Sequence, residues 1–128
     1  MDEYIAKAKI EFQRSQLFAK SAETAGLPVE AVAVLCMVAI RHAVESVFFC
    51  NRATPPKREV LYEHFYEQHV LHGGFPRGIE KKIAELQGMA AGDVPCASDG
   101  GLSVAKDVLK ELHRTIKAWL KEAEKKVV

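Results

Sequence analysis

Apolar residues recur along this chain at steps of three and four, and that spacing predicts helices nearly throughout. Asp2 is a suitable N-cap for a first helix reaching about Ala25, with Gly26 as its stop. Its inward stripe, Ile5, Ala8, Phe12, Ser15, Ala19 and Ala22, is rich in small residues and invites close approach by a neighbour. Pro28 suits the first position of a second helix running to about Cys50, apolar on nearly every face from Val32 to Phe49. Such a helix needs cover on several sides, from the bundle or from a second subunit.

Asn51 to Pro56 break the pattern, and a third helix is expected from about Lys57 to Leu71, carrying Leu61, Tyr62, Phe65 and Tyr66. Beyond Gly73-Gly74, Pro76 can open a fourth, with Ile79, Ile83, Leu86 and Met89 at helical spacing. Gly92 to Gly101 carries turn residues and reads as a loop. The last helix, about Leu102 to Lys126, has the cleanest stripe: Leu102, Ala105, Leu109, Leu112, Ile116, Trp119 and Ala123. Trp119 is expected to be largely buried. The expectation is one all-α domain over residues 1–128, an up-down bundle of four to five helices.

Composition narrows the function classes. With 18 Lys+Arg against 17 Asp+Glu the net charge is +1, which disfavours a strongly basic nucleic-acid binder and a highly charged disordered chain. The longest uninterrupted apolar run, Ala31 to Ile40, is too short to span a bilayer, so no membrane role is expected. The start Met1-Asp2-Glu3 has no export signal, and three cysteines without a CxxC read as reduced thiols; a cytoplasmic protein is expected.

Candidate chemistry is sparse. His69 and His72 are i,i+3 neighbours on a helix, yet no Glu-x-x-His pair or HExxH completes a metal site, so neither metal nor cofactor is expected. Arg58 and His64 form an Arg-x5-His spacing that some helical ribonucleases use. On a continuous helix six residues advance about 600°, leaving these side chains about 120° apart unless Arg58 precedes the helix proper. Cys50, close to Arg52, is the only thiol with a sequence neighbour able to lower its pKa, yet the cysteines are expected to be buried structural thiols rather than nucleophiles. Gly73 to Gly78 reads first as a helix–helix turn, with a helix N-terminus behind it that could receive an anion. Lys106, Lys110, Arg114, Lys117, Lys121 and Lys125 form one basic stripe along the last helix, able to follow phosphates. Glu111, Glu122 and Glu124 dilute it, and no aromatics are interleaved for base stacking.

The small-residue first helix, the apolar second helix AVAVLCMVAIRHAVESVFF, the Pro-bearing connection, the aromatic third helix and the long amphipathic closing helix together resemble the HEPN superfamily of small prokaryotic helical bundles. The resemblance covers about residues 2 to 126. It implies a homodimer, a nucleotidyltransferase-type protein partner in a toxin–antitoxin pair, and in some members ribonuclease or nucleotide-binding activity. The family's Arg-to-His motif falls near the start of the closing helix, where Gln87 to Leu102 has neither residue. Arg58 and His64 lie one or two helices too early. The resulting expectation is a non-catalytic interaction module. The rival readings are a ribonuclease using Arg58 and His64, and a weak RNA or nucleotide binder using Lys106, Lys110, Arg114, Lys117 and Lys121.

Overall fold

The computed structural model describes residues 2–91 and 98–126, and among them every regular element is helical. Helix α1 spans Glu3–Ser21, α2 Val29–Cys50, α3 Leu61–Phe65, α4 Ile79–Ala91 and α5 Ser98–Lys126. Asp2 caps α1 as its type suggests, its Oδ1 accepting from the Tyr4 N–H at 2.9 Å. Its other oxygen takes Arg52 at 2.7 Å, so one carboxylate ties the start of α1 to the end of α2. Arg52 has φ of 56°, the left-handed conformation that closes a helix, and the Ala53 N–H reaches back to the Phe48 carbonyl.

Helix α2 is the hub, packed against α1, α3, α4 and α5. Small side chains let α1 approach closely: Ala8, Ser15, Ala39, Ala43 and Ser46 are all fully buried. At that range each helix bonds the other's backbone. The Ser15 hydroxyl donates to the Ala39 carbonyl at 2.6 Å, and the Ser46 hydroxyl to the Ala8 carbonyl at 2.8 Å. The paired contacts run in opposite senses, so α1 is antiparallel to α2. It is antiparallel to α5 as well, through Lys9–Glu124 at 2.6 Å and Ser15–His113 at 2.7 Å.

By length and composition α2 would suffice to cross a membrane, although its longest uninterrupted apolar run is only ten residues. Half of its most apolar stretch is buried among its neighbours, and Arg41, His42 and Glu45 interrupt its outer face.

Several boundaries differ from the sequence pattern. Helix α1 ends at Ser21, four residues before Ala25, because the chain turns through Glu23 and Thr24 N–H bonds to Lys20 and Ser21. Pro28 is the N-cap of α2 rather than its first helical residue. The third helix is not regular: a 3₁₀ turn, Arg58–Val60, leads into α3, and a π-helical turn, Tyr66–Val70, follows. The π turn, closed by the Leu71 N–H on the Tyr66 carbonyl, brings Val70 inward five residues after Phe65. Helix α5 begins at Ser98, inside the segment read as a loop; Ser98 and Asp99 are helix-starting residue types. The rest of that expected loop lies outside the described residues.

The core stripe of α5 holds at Ala105, Leu109, Leu112 and Ile116, with Val108 and Leu120 added. Trp119 is only half-buried. It sits at the rim, where its ring meets Phe75 edge-on at 5.6 Å.

Candidate functional site

Among the described residues, a group of mostly buried ionisable side chains gathers where the outer face of α2 meets α1. Glu11 from α1 reaches it and is almost wholly buried. Its Oε1 accepts from Arg14 at 2.7 Å and its Oε2 from His42 Nδ1 at 2.6 Å. On its other side His42 Nε2 lies 3.4 Å from Arg41 Nη2. Arg41 Nε lies 3.5 Å from Glu45 and is buried without a hydrogen-bond partner, so that pair is held by charge alone. The Phe18 ring stacks on His42 at 5.5 Å.

Burial raises the Glu45 carboxyl pKa, and the Glu11 charge raises it further, against the fields of His42, Arg41 and Arg58. Burial likewise pushes the neighbouring Tyr62 hydroxyl up to about 12. Glu11, His42 and Glu45 place their donor atoms within 4.8 Å of one another, a donor set that a divalent cation accepts. Each carboxylate already faces a guanidinium, however, so two acids and two arginines balance. The chemistry of the cluster is that of a closed ion-pair network. Sequence reasoning missed it because Glu11 and His42 are 31 residues apart; an acid beside the small-residue stripe of α1 was the available signal.

A second polar group lies between α1, α2 and α5. Because the Ser15 hydroxyl proton is committed to the Ala39 carbonyl, His113 Nε2 must donate to Ser15 Oγ. The histidine therefore does not act as a base toward this serine, and the pair is a structural pin. Burial lowers the His113 pKa.

Arg58 is exposed at the head of the 3₁₀ turn, before the helix proper, and His64 is half-buried on α3. Among the described residues no hydrogen bond or ion pair joins them; the field of Arg58 falls on Glu45 instead. His69 is half-buried with its ring edge-on to Phe48 at 5.0 Å, and His72 is exposed. Cys50 is a structural thiol: burial pushes it up to about 11, and Arg52, the neighbour able to lower it, is held by Asp2. Burial raises Cys36 too.

Lys106, Lys110, Arg114, Lys117 and Lys121 line the exposed side of α5 as their spacing requires. Two of the three glutamates expected to dilute the stripe do so: Glu111 receives both bonds of Arg114 at 2.7 Å, and Glu122 lies 3.8 Å from Lys125. Glu124 is instead drawn to Lys9. Compared with known protein families, curated proteins and solved structures, the chain matches none.

Proposed function

We propose that this chain is a non-catalytic helical interaction module that pairs with a second copy of itself through the outer face of α2. One observation carries the reading. Ala31, Val34, Leu35 and Val38 form an apolar surface on α2 that no other helix covers fully among the described residues, and Val34 is 45% exposed. Beside it stand the half-buried Arg41 and Glu45, with the exposed Arg14 on the adjoining edge of α1, so both signs of charge border one surface. A two-fold contact is isologous, and a surface holding both signs is complementary to its own copy.

The non-catalytic part is supported by the engaged Ser15 hydroxyl, the raised thiols and the guanidinium-paired carboxylates. The HEPN resemblance supports pairing and extends the proposal to a nucleotidyltransferase-type partner in a toxin–antitoxin system. Light scattering at micromolar concentration tests the pairing: a species of twice the 14.2 kDa chain mass is expected, reduced to the single chain by Val34→Glu with Val38→Glu at unchanged helicity. A wild-type chain that stays at 14.2 kDa overturns it. RNA cleavage abolished by His64→Ala in a folded protein would replace the proposal with a ribonuclease using Arg58 and His64.

A further inference from the structure

A recess of about 370 Å³ lies between the beginning of α4 and the middle of α5. Its floor is apolar, made by the buried side chains of Ile79 and Val108, with the exposed Pro76 beside them. Its rim is cationic: Arg77 and Lys82 come from the α4 side, Lys110 and Arg114 from α5. Against these four stand two carboxylates, Asp107 and Glu111, so the lining carries a net charge of +2. Arg114 Nη2 donates to both oxygens of Glu111 and neutralises it. Arg77, Lys82 and Lys110 then face Asp107 alone, and among the described residues none of the three has an ion-pair partner.

The recess divides the basic stripe. Lys110 and Arg114 belong to it, Lys106 lines a different recess with Cys36 and His113, and Lys117 and Lys121 line neither. The positive charge is therefore concentrated by two cations from outside α5, which the stripe pattern alone did not include. Gly78, with φ of 103°, makes the turn between Arg77 and α4. Glu80 caps the Gly78 N–H at 3.0 Å and lines a separate recess with Tyr62 and Glu63.

We propose that this recess binds a phosphomonoester, with the phosphate on Arg77, Lys82 and Lys110 and the organic part on the Ile79–Val108 floor. Three cations lining one recess from two elements match a dianion better than they match an extended backbone, which the whole stripe would follow. The volume is at the low end of the roughly 300–1,000 Å³ of small-molecule sites, which suits a ligand the size of a mononucleotide. The proposal is independent of pairing through α2.

The test is titration of the full chain with 5′-AMP, adenosine and inorganic phosphate, followed by calorimetry or NMR shifts at low and physiological salt. AMP is expected to bind at millimolar concentration or tighter, more weakly as salt rises, with phosphate weaker and adenosine weakest. Arg77→Ala and Lys110→Ala should each weaken AMP binding by roughly tenfold, the scale of a lost charge-assisted contact. Lys121→Ala should leave it unchanged. All three positions are exposed, so folding is preserved and is checked by thermal melting. A 5′-phosphorylated RNA trinucleotide that binds better than both AMP and its 5′-hydroxyl form would assign the site to strand ends; affinity equal to AMP would assign it to the free nucleotide. Adenosine binding as well as AMP, a Lys121→Ala loss equal to that of Lys110→Ala, or no AMP binding at millimolar concentration overturns the proposal.

Discussion

Replacing Ser15 by alanine removes one oxygen from the middle of the bundle, and the cost can be worked from its two bonds. Ser15 is fully buried, donates to Ala39 and accepts from His113. The Ala39 carbonyl keeps its place in the α2 ladder, so losing the donated bond costs about 1 kcal/mol. His113 Nε2–H is left without its acceptor, which costs about 1–3 kcal/mol more. Alanine returns up to about 0.5 kcal/mol through its helix propensity. The net expectation is about 2–3 kcal/mol, or roughly 10 °C in Tm for a domain of this size. Urea denaturation followed by circular dichroism measures it. The sharper measurement adds His113→Leu: with both partners apolar no orphan remains, and the double variant should lose about 1–2 kcal/mol less than the two single losses combined. A Ser15→Ala loss under about 0.5 kcal/mol, or strict additivity, would show that the hydroxyl does not hold the imidazole.

Burial lowers the pKa of both His69 and His113 below the ordinary 6.5. The unfolded chain therefore takes up protons first as pH falls, so stability is full above about pH 6.5 and declines from there down through the folded pKa values. Urea midpoints equal at about pH 7.5 and pH 5 would contradict this, and His69→Phe should make the decline shallower. At Gly74 an added Cβ would lie 2.8 Å from the His69 carbonyl oxygen, which belongs to the backbone. Gly74→Ala should cost about 1–3 kcal/mol by the same denaturation assay, because the turn before α4 must shift to admit it.

The parts of the fold legible in the sequence are those fixed by local periodicity. Ala105, Leu109, Leu112 and Ile116 stand inward on α5 because a long helix with one apolar stripe has one way to face a core. Asp2 was legible as a cap because capping is decided within three residues. Trp119 was misread because a large ring at the stripe's edge reaches the core with one side and packs on Phe75 with the other. Tertiary placement brings Glu11 to His42, Ser15 to His113, and Arg77 and Lys82 to Lys110. None of these pairings has a sequence-local signature. Arg58 and His64 show the converse, a motif spacing to which the fold adds no bond between the two among the described residues.

The widened turn at Tyr66–Val70 has a meaning in terms of insertions and deletions. A π turn holds one residue more than the α-helical turn it replaces, the geometry left when a helix absorbs a single extra residue without moving its ends. Leu61 and Phe65 on one side and Val70 on the other are all buried, so the surplus is confined between them. Glu67 and Gln68, both exposed, are where a residue can be removed. A chain one residue shorter there would close as an ordinary helix with Leu61, Phe65 and Val70 still directed inward. Elsewhere in α2 or α5 the same deletion would rotate every later side chain by about 100° and turn the stripe out of the core.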